Sequence, residues 1–471
     1  MNALLSDDPV MIASGLKQAI QADSHSSKKR EAREGVRYYE HENDILNNRI
    51  FYIDDEGNFK EDRFASNIRI PHGFFPEIVD QKTQYLLANP VEYDTTDETL
   101  KKYLREYYDP DFQLILQELI EGASQKGSEY VFARTNAQDR ICFQIADSLC
   151  VFGIYDEENQ LQRICRYYDT EVEREGKREI LHHAEIWTDQ VVYFFEAENT
   201  KSFKLEPSEL NPRPHVLAVD TQTGTLLQRS YGQIPFYRLS NNKKETTDLK
   251  PIKALIDDYD LMNCFLSNNL QDFAEAIYVV SGFQGDDLSK LRQNVKAKKV
   301  VGTGSDGGLD IKTVTIPTEG RKTKMDIDKE NIYKFGMAFD STQVGDGNIT
   351  NIVIKARYTL LNMKANKTEA RLHAMLEWMN KLVIEDINRR FNKSYDPKEV
   401  SFTFTREVMV NENDLVANEK TEAETKQIII NSIMQIAPRL DDATVLKLIC
   451  EQFDLDWEEM QVSLQGSSDS L

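Results

Sequence analysis

The most persistent pattern along this chain is helical. Apolar residues return every three or four positions at Leu361, Ala365, Leu372, Met375/Leu376, Met379, Leu382/Val383 and Ile387. After Gly347 no glycine follows until Gly466, and no proline until Pro397. The spacing predicts a helix over 352–391, about 40 residues and about 60 Å long, where the average helix has about 11–12 residues. Its apolar stripe is too broad and irregular for strict heptads, which favours a strut packed by its neighbours over a coiled-coil rod. A second run keeps the same step through Ile252, Leu255/Ile256, Tyr259, Met262, Leu266, Leu270, Phe273 and Ile277. Asp248 is its expected N-cap and Pro251 falls in the first turn, where a missing N–H costs little. That helix should run about 26 residues, or about 39 Å. Shorter helices are expected over 76–90, closed by Asn89-Pro90, and over about 319–338.

Other stretches alternate with a period of two. "RIFYIDDEGNFKE" (49–61) sets a turn cluster between two such runs and predicts a β-hairpin. From about 140 to 240 short strand-like runs recur ("ICFQIA", "LCVFGIY", "AEIWTD", "VVYFFEA"), separated by turn residues that include "NPRPH" (211–215). Between the two middle helices lies a compact insert: strand-like "IYVVSGF", a short basic helix around "LSKLRQNVKAKK", and the glycine-rich "VVGTGSDGGLDIKTVTI". "VSFTFTRE" (400–407) alternates as a strand. Residues 415–464 read as acidic helix, with 13 acids and 4 bases over 412–471, and the tail "QGSSDSL" as mobile. Residues 21–34 are polar and read as a loose or helical lead-in. The whole is an α+β chain of more than one packed unit.

Charge narrows what such a chain binds. Its 57 Lys+Arg against 79 Asp+Glu give a formal charge of −22 over 471 residues, a surface that repels nucleic acid and anionic membranes. No apolar run approaches the roughly 20 residues that cross a bilayer, and the first twenty residues lack the basic start and apolar core of a secretory signal. Five scattered cysteines without a CxxC are expected as free thiols in a reducing cytoplasm.

Candidate chemistry is sparse. "VGTGSDGGLD" (301–310) lacks the Gly-Lys-Ser/Thr ending of a phosphate cradle and leads into a strand-like run, so it reads as a hairpin turn. "VGDGN" (344–348) lacks the ligand ladder of a calcium loop and reads as a hinge. His182 and His183 are neighbours on a strand and point to opposite faces, which disfavours a shared metal. Asp257 and Asp258 are adjacent on a helix and are expected on a solvated face. No catalytic constellation emerges; neither enzyme activity, cofactor nor metal is expected. In the 319–338 helix, Lys324–Asp328 and Glu330–Lys334 are i,i+4 pairs. Lys322 and Lys329, seven apart, fall on roughly one face, where they either pair with neighbours or present charge to a passing polyanion.

The order of parts, with "GVRYYEHENDI" (35–45), "VDQKTQYLLANPV" (79–91), "NPRPH" (211–215), "DLKPIKALIDDYD" (248–260), "GGLDIKTVTIP" (307–317), "YTLLNMKANKTEARL" (358–372) and "FTFTR" (402–406), resembles the portal proteins of long non-contractile-tailed phages of Gram-positive hosts. The resemblance runs from about residue 35 to 410. It implies a portal fold: a flexible lead-in (1–34), a wing (35–247, with 393–414 returning to it), stem helices (248–276 and 318–338), a clip (277–317), a tunnel loop (339–351), a long wing helix (352–392), a helical crown (415–464) and a mobile tail (465–471). It further implies a ring, twelve-fold in the virion, at one capsid vertex, assembled in the host cytoplasm. Double-stranded DNA would pass through it, and a terminase motor, a head-completion adaptor, and major capsid and scaffolding proteins would be its partners. By the same resemblance the channel is lined by Asp340, Ser341, Thr342, Gln343, Val344, Gly345, Asp346, Gly347, Asn348, Ile349, Thr350 and Asn351; Lys322 and Lys329, on their helix-face spacing, are the candidate lining of the stem. Twelve copies of −22 make −264, a wall that holds DNA weakly and so does not stall it. The competing readings are an acidic adaptor or scaffold-type protein without a channel, and a phage enzyme, which would need a P-loop or a carboxylate metal cluster.

Overall fold

The computed structural model describes residues 3–54, 56–62, 65–136, 139–174, 177–198, 201–207, 210–219, 226–272, 277–281, 308–312, 318–340, 351–406 and 412–452. The chain forms two compact units. One comprises Met1–Asp340 with Leu360–Glu407, the other Ser341–Thr359 with Val408–Leu471.

The first unit opens with α1 (Pro9–Ser24) and α2 (Ser27–Tyr39). Asp8 accepts a hydrogen bond from the Val10 amide with Pro9 in the first turn, and Ser26 caps α2 through the Lys29 amide. Of the loose or helical lead-in expected over 21–34, the helical alternative is the one found, and helix also occupies Pro9–Ser24, where the resemblance implied flexibility. Polar composition hid two apolar anchors, Ile12 and Leu16, which are fully buried against Cys165, Ala184, Ile186 and Phe195. β1 (Phe51–Ile53) and β2 (Phe59–Glu61) form the expected hairpin. Then come α3 (Phe74–Leu86), β3 (Glu92–Asp94), α4 (Glu98–Leu104) and α5 (Pro110–Lys126), the last capped by Asp109 and closed by Gly127 at φ 85°. A Cβ at Gly35 of α2 would lie 1.9 Å from the Gln125 carbonyl oxygen, so the close approach of α2 to α5 requires glycine.

The strand-rich stretch supplies β4 (Ser128–Thr135), β5 (Ile141–Ala146), β6 (Val151–Tyr155), β7 (Leu161–Arg174), β8 (Lys177–Trp187), β9 (Val191–Glu198), β10 (Lys204–Leu205), β11 (Arg213–Pro214), β12 (Val216–Val219), β13 (Leu226–Arg229) and β14 (Phe236–Ser240). They form an antiparallel sheet in the order β10-β9-β8-β7-β6 with β11 also on β9, a three-stranded sheet β14-β4-β5, and the pair β12-β13. Tyr130, Phe132, Ala146, Val151, Ile164, Trp187, Val192 and Phe236 make one buried cluster joining the two larger sheets. "NPRPH" packs on this body: the Arg213 guanidinium sits 3.9 Å from the Phe194 ring centre, and His215 lies against Trp187 and Tyr231.

α6 (Lys253–Asp272) follows, then the antiparallel pair β15 (Ile277–Ser281) and β16 (Gly308–Lys312), and α7 (Thr318–Gly336). Of the glycine-rich run expected as a hairpin turn, 308–310 lie within β16; 301–307 and the expected basic helix lie outside the described residues. α8 (Asn351–Phe391) has 41 residues, as its periodicity predicts. Leu361, Ala365, Leu372, Met375, Leu376, Met379, Leu382, Val383 and Ile387 are all buried. Neighbours cover them. Asp386 accepts from the Tyr107 hydroxyl (2.9 Å) and the Ile141 amide (3.0 Å), the Tyr108 hydroxyl donates to Asn380, and Trp378 meets the rings of Phe143 and Tyr237. The helix is a packed strut. β17 (Ser401–Thr403) pairs with β3 more than 300 residues earlier.

In the second unit α9 (Glu412–Ile436) and α10 (Asp442–Gln452) make up the described part of the acidic end, with Ile433 and Cys450 buried. The rest of the helix expected to 464 lies outside the described residues. All five cysteines are free thiols. Among the described residues no helix is long and apolar enough to cross a membrane.

Candidate functional site

α6 and α7 pack together over α3. Ile252, Ile256, Ile332 and Tyr333 share a buried cluster with Tyr38, Phe74, Phe75, Ile78 and Val79. Lys324 of α7 contacts both Asp258 of α6 and Asp328 one turn further along its own helix. Asp257 accepts from the Tyr38 hydroxyl and pairs with Lys253 at 2.8 Å. Asp257 and Asp258 therefore fasten helices rather than form the expected solvated face. Adjacent on the helix, the two carboxylates diverge, Asp257 toward Tyr38 and Asp258 toward Lys324.

The C-terminus of α7 is closed by a Schellman arrangement. The Ala338 amide donates to the Tyr333 carbonyl, the Met337 amide to the Lys334 carbonyl, and Met337 takes a left-handed φ of 53°. Three side chains then hold the chain as it leaves the helix. Gln81 of α3 grips both sides of Phe339, its amide donating to the Phe339 carbonyl at 2.7 Å and its carbonyl accepting the Phe339 amide at 3.0 Å. Lys364 of α8 donates to the Gly336 carbonyl at 2.9 Å. Lys329 pairs with Asp340 at 3.1 Å.

Behind this take-off lies a polar hub that sequence reading missed. Lys82, 1% exposed, donates to Ser124 (2.9 Å) and Asn241 (2.6 Å) and pairs with Asp248 at 3.2 Å. Lys364 reaches the same Asp248 oxygen at 3.1 Å, and the Asn241 amide donates to the other at 2.9 Å. Burial, aided by the nearby Lys364 charge and opposed by Asp248, lowers the Lys82 amine to about 8. Burial pushes the Asp248 carboxyl up, but the Lys364 and Lys82 charges and the Asn241 and Lys364 hydrogen bonds outweigh it and hold it well below the usual range. Asp248 is thus not the N-cap of α6. That helix begins at Lys253, after a turn from Leu249, and the Asp248 side chain is committed to the two lysines. The readable signal was Lys82 itself, a charge on the apolar stripe of a helix where a charge is costly unless paired.

Residues 19–461 match the phage portal protein family described as SPP1 Gp6-like. The chain belongs to that family. The portal protein of Bacillus phage SPP1 is 30% identical over 387 residues, covering 81% of this chain and 75% of that protein. The portal protein of Clostridium phage phiCD119 is 25% identical over 451 residues, 91% and 93% of the two chains. A solved structure, the neck of an empty GTA particle computed with C6 symmetry, aligns with 80% of this chain and 90% of its own at 12% identity and a TM-score of 0.38.

Among the channel residues expected of this portal-family chain, Ser341, Thr342, Gln343, Val344, Gly345, Asp346, Gly347, Asn348, Ile349 and Thr350 lie outside the described residues. Asp340 is tied to Lys329, and Asn351 is the first residue of α8. Lys322 is exposed, 3.9 Å from Glu319, whereas Lys329 is partly buried by its pairing. The portal-like stretches quoted above converge instead on the hub: "VDQKTQYLLANPV" brings Gln81 and Lys82, "DLKPIKALIDDYD" brings Asp248, and "YTLLNMKANKTEARL" brings Lys364. His182 and His183 make separate contacts, with Asp169 and Thr170.

Proposed function

We propose that the chain is the ring-forming portal subunit of a tailed-phage capsid, a structural and non-enzymatic component. Its ring, twelve subunits in the virion, is the channel for packaging, retaining and ejecting double-stranded DNA and the platform for the terminase motor and the neck. Membership of the portal family over residues 19–461 carries this reading. In it, 35–247 is the wing, and the pairing of β17 with β3 supports the return of 393–414 to that part. α6 and α7 are the stem, the β15–β16 insert is the clip, α9 and α10 belong to the crown, and 339–351 is the tunnel loop. The clamp of Gln81, Lys364 and Lys329 on Gly336–Asp340 supports a loop whose movement starts after a fixed anchor. Glycine stands at 345 and 347, the residue whose lack of a Cβ suits a segment that must yield as duplex passes.

Three experiments test this. Electron micrographs of the purified protein should show annular particles; monomers alone would overturn the ring. Gly345→Pro with Gly347→Pro should impair DNA packaging while rings still assemble, and a normal packaging yield would remove the valve role of the loop. Packaged DNA retained after specific cuts within 340–351 would favour an acidic adaptor without a channel.

A further inference from the structure

Among the described residues the apolar face of the β1–β2 hairpin is left largely open. All six strand residues are exposed. The register pairs Ile53 with Phe59 and Phe51 with Glu61, so Phe51, Ile53 and Phe59 share one face while Tyr52 and Lys60 occupy the other. Phe51, Ile53 and Phe59 are 54%, 62% and 76% exposed, so three of the four side chains on this face are apolar and open, Glu61 opposite Phe51 being the fourth. A two-stranded hairpin is marginal in water by itself, yet this one is locally well made. Asp54 accepts from the Glu56 and Asn58 amides, its own amide bonds the Asn58 carbonyl, Lys60 pairs with it at 2.7 Å, and Gly57 turns the chain at φ 84°. The sequence specifies an ordered arm whose apolar side is exposed among the described residues.

We propose that this face docks on the neighbouring copy of the same chain, an inference that rests on the ring reading above. Three observations select a second copy. The exposed fractions of Phe51, Ile53 and Phe59 amount to about two whole large apolar side chains, or roughly 300–400 Å². Stable interfaces bury about 800 Å² per partner, so the hairpin supplies the anchor of a contact that further surface completes. Its charge excludes nucleic acid: between Phe51 and Asp62 there are five acids and one lysine. The chain carries a complementary surface elsewhere, where exposed Lys28, Arg30 and Arg33 of α2 lie beside exposed Lys243, Lys244 and Lys250. The Lys28–Glu245 and Lys250–Glu31 pairs join these two segments. A ring uses unlike surfaces on its two flanks, so an acidic apolar arm and a basic acceptor on one chain are what a head-to-tail contact requires.

The test uses the full-length protein. In Phe51→Ser/Phe59→Ser both changed side chains are already exposed, so the far-ultraviolet spectrum and melting of the subunit should stay as in the unaltered protein. Its ring fraction in native mass spectra should fall at least tenfold at equal concentration. A photo-crosslinking residue at position 59 should join two copies of the chain in assembled rings. Rings from the double variant as stable as the parent's, or crosslinks in particles that reach a different protein and never a second copy, overturn the docking while leaving the ring intact. Absence of rings from the unaltered protein would overturn both readings together.

Discussion

Asp248→Asn isolates what the buried hub contributes. The substitution keeps the side-chain volume but removes the negative charge that Lys82 and Lys364 share at 3.2 and 3.1 Å. Both ammonium groups then stay inside the fold without a counter-charge, and Lys82 has almost no contact with water. Breaking a buried pair from one side costs about 3–5 kcal/mol, because the stranded charge retains its desolvation penalty. Lys82→Met should cost less, about 1–3 kcal/mol, since it leaves chiefly the Asn241 acceptor unsatisfied while Lys364 still serves Asp248. The double variant should be milder than the sum of the two by about 1–3 kcal/mol, because once Asp248 is neutral the Lys82 charge is a liability. Urea unfolding of full-length protein, followed by tryptophan fluorescence, reads all three values. The pH dependence supplies an independent check. The depressed carboxyl of Asp248 contributes stability above the unfolded aspartate value, lost as pH falls through the folded one. In Asp248→Asn the remaining imbalance is Lys82, whose folded value lies below that of a free lysine. The variant should therefore gain stability as pH rises toward about 10.5. A cost below about 1 kcal/mol, or strict additivity in the double variant, would refute the argument that the hub is one coupled unit.

Two further outcomes are expected. Burial lowers His215 to about 4 against the opposing bond to the Thr188 carbonyl. Its contribution is complete above the unfolded value near 6.5 and is lost as pH falls toward 4, up to about 3 kcal/mol. His215→Gln should flatten the midpoint-versus-pH curve across that window, and an unchanged slope would assign the acid sensitivity elsewhere. Gln81→Ala should speed amide exchange at Phe339 about tenfold or more, the equivalent of one to two neutral hydrogen bonds, with little global destabilisation; unchanged exchange would mean that Gln81 does not hold the loop take-off.

Elements whose signals are local could be read from the order of residues. The 41-residue helix, the hairpin at 51–61 and the run of short strands follow from periodicity and turn residues that neighbouring positions carry. The stretches that mark the portal family were likewise legible as strings. What those strings do for one another depends on the fold that brings them together. Lys82 meets Asp248 across 166 positions, and Gln81 meets Phe339 across 258, distances over which spacing says nothing about partners. Local rules therefore assigned Asp248 to a cap and Asp257 and Asp258 to solvent, whereas the fold commits them to buried or bridging lysines. It also turned a polar lead-in into two packed helices, because two residues, Ile12 and Leu16, found a sheet to bury them. Periodicity is a property of the segment; burial and charge pairing belong to whatever the fold places opposite it.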